Sequence, residues 1–430
     1  MSILKDLESR WSGSRDPFLI TGSQAITFRS INETVPAYLK HIDAGDVVAL
    51  IGDFEPNSII SLLELLEKRA VVVPLTKDTK HQHEYFFDAA CVDWIIEDGK
   101  IRRRKVNVRH KMLEKLALMR RAGLVLFSSG TTGKPKAILH DFDNFKDRYS
   151  TVRPTLRTLN FLLFDHIGGI NTLLHTLYNR GLVVAPQSRK VEDILALCHK
   201  YHIELLPTTP TFLRMLLMSG LTEKNFPKSI RVVTYGTERM DEFTLKELCR
   251  QLPNVDFRQT FGMSELGILR VKSERKDSLF MTVGGEGVDT KIEDKILYIR
   301  SKSRMLGYLN AESPFDEEGW YNTRDLVETK GNYIKIVGRD SDLINVGGLK
   351  FMASEVESFV MQIPGVKMVK AEGVDNPITG QHVMLTCELD DLKISLDQLK
   401  GIVKQNLPAH MQPRRYRLSE VKYNHRFKRA

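Results

Sequence analysis

The chain has 430 residues, 42% of them hydrophobic and 27% charged, with a formal net charge of +9. This is ordinary globular composition, and the length allows more than one core, so two domains are expected. No stretch has the length and uninterrupted apolarity of a membrane helix, and the opening Met1-Ser-Ile-Leu-Lys-Asp carries charge where a secretory signal has its apolar core, so a cytoplasmic enzyme is expected. Cys91, Cys198, Cys249 and Cys387 lie far apart without a CxxC pair, which indicates neither a zinc ribbon nor a disulfide framework. Much of the basic charge sits in Ile101 to Arg121 and Pro413 to Arg429, with no stacking aromatics interleaved. Nucleic acid is therefore not the expected partner: an acidic small molecule or protein accounts for the charge as well, and a solvated face is the commonest meaning of charge alone.

Along the chain, short β-branched runs alternate with amphipathic helical stretches. Asp46 to Ile51 reads as a strand, Asn57 to Lys68 as a helix with an Ile/Leu stripe, and Ala70 to Pro74 as the next strand, which makes a βαβ unit. The strand pattern repeats at Leu124 to Ser128, Phe161 to Asp165, Leu182 to Ala185, Glu204 to Pro207 and Arg231 to Tyr235. Helices are expected between them, including Val191 to Tyr201 and Asp241 to Leu252. After Gly284 the texture changes to short strands and turns, including Lys295 to Arg300 and Tyr333 to Val337, as in a small β-rich module. A last segment opens near Gly338 with its own helix, Ala353 to Gln362, and strand, Val383 to Leu389. The expected fold is α/β: a large domain over 1–337 with mainly parallel sheets and a β-rich module, then a small α+β domain over 338–430.

The strongest chemical signal is Ser128-Ser-Gly-Thr-Thr-Gly-Lys-Pro-Lys-Ala137, placed directly after a strand. Gly130 and Gly133 let a backbone approach a polyphosphate, the hydroxyls of Ser128, Ser129, Thr131 and Thr132 can donate to it, and Lys134 and Lys136 offset its charge. Pro135 follows the first lysine where a Walker sequence needs Ser or Thr, which argues against a P-loop kinase or ATPase.

Phe127 to Ala137 resembles the phosphate loop of the adenylate-forming superfamily, which includes acyl- and aryl-CoA ligases, peptide-synthetase adenylation domains and firefly-type luciferases. The resemblance continues in order along nearly the whole chain. Gly45 to Leu75 is similar to an upstream family stretch, Phe261-Gly-Met-Ser-Glu265 to YGxTE, and Gly319-Trp-Tyr-Asn-Thr-Arg-Asp325 to GWxxTGD. Gly338-Arg-Asp-Ser-Asp-Leu-Ile-Asn-Val-Gly-Gly-Leu-Lys350 is similar to GRxxDxIxxxGxxI. Departures include Ala137 for the loop's final glycine, Phe261 for tyrosine, Arg324 for glycine and Ser341 at the hinge.

The resemblance implies that ATP activates a carboxylic acid to an acyl-adenylate, which a thiol of coenzyme A or a phosphopantetheine carrier protein then takes. A carboxylate attacking the α-phosphate meets like-charge repulsion, so the site must supply Mg²⁺ and cationic groups. By resemblance, Glu265 is the Mg²⁺ ligand, and Phe261, Gly262 and Ser264 surround the nucleotide. Asp325 accepts from the ribose hydroxyls, Arg339 adds a ribose or phosphate contact, and Tyr235, Gly236 and Thr237 flank the adenine.

His166, in Phe164-Asp-His-Ile-Gly-Gly169, matches the histidine that gates the acyl pocket. Asp165 leaves an amino-acid substrate loading a carrier protein as the alternative, and both side chains also suit a helix start. Thr208, Thr209, Thr260 and Met263 are further candidates for the pocket wall. Lys428, in Tyr423-Asn-His-Arg-Phe-Lys-Arg-Ala430, falls at the family's terminal catalytic lysine, with Lys422 as the fallback. In the second half-reaction the terminal domain is expected to swing about Arg339 to Ser341 and bring Gly347 and Gly348 to a phosphopantetheine path. A non-catalytic nucleotide- or acyl-binding paralogue is the other reading, and a homodimer is allowed, since the sequence does not fix the oligomeric state.

Overall fold

The computed structural model describes residues 2–106, 108–128 and 133–419. Four sheets carry the chain. Val47–Ile51, Val71–Leu75 and Gly123–Phe127 are buried at every position, as strands covered on both faces must be. They form the parallel centre of a seven-stranded sheet with Trp94–Glu97, flanked by antiparallel Lys100–Arg103 on one side and Ala137–Asp141 and Gly307–Tyr308 on the other. Pro74 is tolerated inside this sheet because its strand pairs with Gly123–Phe127 only at Val71 and Val72, so no rung toward that neighbour needs its missing N–H.

A second seven-stranded sheet runs Asp256–Gln259, Val232–Tyr235, Leu205–Thr208, Thr158–Leu159, Val183–Ala185, Pro17–Thr21 and Gln24–Thr27. All its pairs are parallel except the last. The helix Pro56–Glu67 places six residues in the main hydrophobic cluster, where it meets helices Ile3–Trp11 and Ile167–Tyr178. The strand expected over Phe161 to Asp165 lies earlier, at Thr158–Leu159. The Asn160 amide makes the final rung to the Val184 carbonyl, and the chain then turns so that His166 can cap the next helix.

The third sheet is wholly antiparallel, in the order Phe261–Met263, Gly267–Ser273, Met281–Gly284, Tyr333–Arg339, Tyr321–Lys330, Ile296–Ser301 and Val288–Glu293. The β-rich texture thus begins at Phe261, not after Gly284. Its first hairpin requires a glycine, because a Cβ on Gly262 would sit 2.7 Å from the Gly267 carbonyl. The fourth sheet, built from Leu343–Val346, Leu349–Met352, Val366–Asn376, Gly380–Leu389 and Arg415–Leu418, packs with helices Ala353–Val360 and Leu396–Asn406 around its own cluster. Among the described residues, no helix is long and apolar enough to cross a membrane.

A buried ion pair lies where the fourth sheet meets the rest. Asp241 caps the helix Glu242–Gln251 by accepting from the Thr244 amide at 2.8 Å, and Arg214 of helix Pro210–Met218 pairs with the same carboxylate. A second nitrogen of Arg214 reaches Met368 Sδ, in Val366–Asn376, at 3.8 Å. Burial pushes the Asp241 carboxyl up, but Arg214 and the Thr244 hydrogen bonds outweigh it and hold the group below its ordinary value. The pair therefore stabilises the fold above the unfolded carboxyl value, and that contribution is lost as pH falls through the lower folded value. Arg214→Met, which leaves a buried charge unpaired, should cost about 3–5 kcal/mol in urea unfolding at pH 7. The deficit should narrow below about pH 4 as Asp241 protonates.

Candidate active site

The phosphate-loop segment joins two strands that pair in register, Phe127 opposite Ala137. Ser128 closes the base of the loop: its amide donates to the Lys136 carbonyl at 3.1 Å, and its hydroxyl accepts from the Lys136 amide at 2.9 Å. Ser129, Gly130, Thr131 and Thr132 lie outside the described residues. Gly133 has φ +154°, and among the described residues nothing lies within 4 Å of its Cβ position. Two residues absent from the sequence reading brace this turn. The Tyr85 hydroxyl donates to the Pro135 carbonyl at 2.8 Å, while Asn310 donates to the same carbonyl at 3.1 Å and accepts from the Ala137 amide at 2.8 Å.

The two loop lysines rest on aromatic faces: Lys134 Nζ is 5.8 Å from the Tyr85 ring centre, and Lys136 Nζ is 4.7 Å from that of Tyr308. Tyr308 in turn donates to Glu265 Oε1 at 2.8 Å, and Tyr321 is hydrogen-bonded to Tyr308. Burial, then the Glu265 charge, pushes the Tyr308 phenol well above its ordinary value, so it stays a donor. Glu265, 9% exposed, is thus aimed by one hydroxyl toward the lysine side of the site. Among the described residues no three carboxylate, histidine or cysteine groups cluster as a metal cage. A cation held here would have Glu265 as its protein ligand and would take its remaining oxygens from phosphate and water, the usual donor set for Mg²⁺.

Four residues beyond Tyr321, Asp325 stands directly opposite Arg339, with the Arg339 Nε 3.4 Å from Oδ1. Both line a cleft of about 590 Å³, together with Thr237, Phe261 and Gly262 on one side and Ser341, Lys370 and Gln381 on the other. Arg324, in the position of the family glycine, has φ +60° and ties its guanidinium to Asp340 at 3.0 Å. A conformation that glycine adopts freely is here held by an ion pair.

Other expected residues fall elsewhere. Of the adenine trio, only Thr237 reaches the cleft. Tyr235 is 1% exposed in the hydrophobic core, because strand alternation turns it away. Gly236 fits closely, since a Cβ there would meet the Thr260 hydroxyl at 2.1 Å. His166 caps the helix Ile167–Tyr178, its Nδ1 accepting from the Gly168 amide at 3.0 Å, and Asp165 beside it is buried. The backbone of Ser264 is hydrogen-bonded to His140. Gly347 and Gly348 form an exposed two-residue hairpin turn with φ +61° and +87°, away from the cleft walls, and these angles are what a tight hairpin demands of its central pair. Lys428 and Lys422 lie outside the described residues.

The sequence model of the AMP-binding enzyme family matches residues 11–309. The chain belongs to the AMP-binding enzyme family. It is 27% identical over 314 residues to acyl-CoA synthetase 7 of Caenorhabditis elegans, a match covering 65% of this chain and 57% of that one. It is 25% identical over 313 residues to 2-succinylbenzoate–CoA ligase of Staphylococcus epidermidis, covering 68% and 65%. These matches span less than two thirds of either relative's length. Among solved structures, o-succinylbenzoate CoA synthetase from Bacillus subtilis, in complex with its acyl-adenylate intermediate, superposes with a TM-score of 0.77 at 20% identity over 99% of this chain and 96% of that one. ATP-bound MatB from Rhodopseudomonas palustris gives 0.80 at 20% identity over 99% and 97%. The fold is that of adenylate-forming enzymes.

Within this member of the AMP-binding family, Asp325 is the most perturbed carboxylate of the cleft. Burial raises its pKa to about 6, and Arg339, more than half exposed, offsets only part of that. A carboxyl raised in the folded state contributes stability that is present below the unfolded value and lost as pH rises through the folded one. Between about pH 4 and 6 the free enzyme should therefore lose stability to this group. Asp325→Asn should melt at a higher temperature than wild type at pH 7–8, with the difference fading toward pH 4. Melting curves that stay parallel across this range would remove the argument.

Proposed function

We propose that this chain activates a carboxylic acid with ATP as an acyl-adenylate and passes the acyl group to a thiol of coenzyme A or of a carrier protein. The observation that carries the reading is the joining of Lys136, Tyr308 and Glu265 next to a nucleotide-sized cleft whose rim holds Asp325 and Arg339. Lys134, Lys136 and the hydroxyl- and glycine-rich loop would hold the triphosphate. Asp325 would accept from the ribose hydroxyls, its pKa falling as those donors arrive, and Arg339 would lie over the sugar-phosphate edge. Glu265 would hold Mg²⁺, which supplies charge neutralisation for the α-phosphate when bound.

His166 would border the acid, with its ring fixed by the Gly168 amide, so its exposed edge is oriented before substrate arrives. Lys428 would bridge carboxylate and α-phosphate in the first half-reaction. Residues 338–430 would then act as a separate domain, turning about Arg339 to Ser341 so that the Gly347–Gly348 hairpin tip replaces the terminal lysine. In its present position the tip is exposed, which suits a loop that visits the site in one half-reaction only. Asp165 supports a second reading, an amino-acid substrate, because it is a buried carboxylate one residue from the gate.

Carboxylate-dependent ATP–pyrophosphate exchange, run over fatty, aryl, dicarboxylic and amino acids, tests the first half-reaction, and its absence with every acid refutes the proposal. Glu265→Ala should slow exchange on the order of 100-fold, since a preorganised charged contact is lost. Activity within a few-fold of wild type, with circular dichroism unchanged, would remove the metal role. Lys428→Ala should slow exchange by ~100-fold while leaving transfer from a supplied acyl-adenylate to the thiol within ~3-fold. Lys422→Ala is the comparison: a larger effect there would mean that Lys422 is the bridging cation.

A further inference from the structure

Arg148 has no part in the scheme above, yet its placement is costly. It sits on the turn Asp147–Tyr149 after the helix Phe142–Lys146, and its Nε, Nη1 and Nη2 are all closed off from solvent with no hydrogen-bond partner among the described residues. The guanidinium lies 4.1 Å from the Phe145 ring centre and packs so closely on Gly267 that a Cβ there would come within 2.7 Å of Nη2. The buried His140 ring is 5.6 Å from the same Phe145, and its Nε2 also has no partner among the described residues. An arginine cannot shed its charge by deprotonation, and an aromatic face attracts the cation without accepting its in-plane N–H groups. No described residue supplies an acceptor for this fork, and a bound anion would.

The surroundings indicate which molecule would bring it. Gly267 opens its strand two residues after Glu265, and His140 is bonded to the backbone of Ser264. Tyr149, adjacent to Arg148, donates to Asn171 Oδ1 at 3.0 Å in the helix that His166 caps. Arg148 thus packs on the Glu265 hairpin, and its neighbour Tyr149 bonds the His166 helix five residues from the cap. That spacing corresponds to roughly 8 Å of helix axis. An acid with its reacting carboxyl at His166 and its chain running along this helix would bring its far end toward Arg148.

We propose that Arg148 is a specificity-determining residue whose guanidinium reads a second carboxylate at the distal end of the substrate, so that the acid activated is a dicarboxylic acid of medium length. A planar fork of N–H donors matches a carboxylate in a bidentate way that no hydroxyl or methyl end can match. The inference rests on the adenylate-forming reading, and binding and turnover are measured separately for that reason.

Calorimetric binding and pyrophosphate exchange on the full chain, with adipate and hexanoate as matched probes, decide it; glutarate and pimelate with their monocarboxylate counterparts cover the length. Wild type should favour the dicarboxylate by ~100-fold. Arg148→Met should abolish that preference and leave hexanoate within ~3-fold, and Arg148→Lys should restore part of it. If wild type binds hexanoate as well as adipate, or no acid of either series binds, the proposal is overturned, whether or not the variants fold. Equal weakening of both probes in Arg148→Met, with a lowered melting temperature, also overturns it and leaves Arg148 a packing residue. Dicarboxylate binding that depends on Arg148 without any exchange upholds the anion site and refutes adenylation instead. Exchange with other acids alone upholds adenylation and refutes this site.

Discussion

The hydroxyl of Tyr308 is the contact on which the geometry of the site depends. Its backbone belongs to the sheet that carries the phosphate loop, pairing with Ile138, while its hydroxyl reaches Glu265 in the antiparallel sheet and bonds Tyr321 there. One side chain thereby fixes the angle between two sheets and the distance from a lysine to a carboxylate. It works because it is buried. In low dielectric the hydrogen bond to a charged acceptor strengthens, and a phenol whose pKa is raised cannot compete with that acceptor for the role of anion.

The α/β alternation was legible because each element has a period of its own. Buried parallel strands read as continuous apolar runs, and helices such as Pro56–Glu67 read as stripes. The two-residue strand Thr158–Leu159 is too short to leave a period, and Pro17–Thr21 with Gln24–Thr27 reads as an isolated fragment until its distant partner is known. In the site, Glu265, Asp325 and Arg339 stood out as members of ordered motifs. Tyr85, Asn310, Tyr308 and Arg148 are single polar residues in unremarkable surroundings, and only tertiary folding brings them to the loop or seals them inside. Tyr235 is different again: its motif position suggested a place beside the adenine, and strand alternation turns its side chain into the core.

One departure from the family pattern has a local physical compensation. Arg324 occupies a left-handed conformation suited to glycine, and its ion pair with Asp340 joins the strand carrying Asp325 to the turn that follows Arg339. Both ends of that link are partly exposed, so its strength is modest and sensitive to salt. Deeper down, Arg214 and Asp241 form the opposite kind of joint, dry and fixed, with Met368 of the last sheet leaning on it. A soft joint beside the cleft and a hard one behind it divide adjustment from support.

The way the two mainly parallel sheets are closed has a consequence for how the molecule comes into being. Leu19 finds its neighbour at Val183, and Ile138 finds Tyr308, so each sheet gains a strand from a remote part of the chain. Such pairings pay their loop-closure entropy before any contact rewards it, which makes them slow and late. On the ribosome, the phosphate-loop strands must wait for the segment that carries Tyr308 before the loop acquires its brace. A chain released short of that point can hold its apolar strands together, but it has no way to set Glu265 against Lys136. The brace on the loop is therefore acquired only late in synthesis, after the apolar strands can already associate.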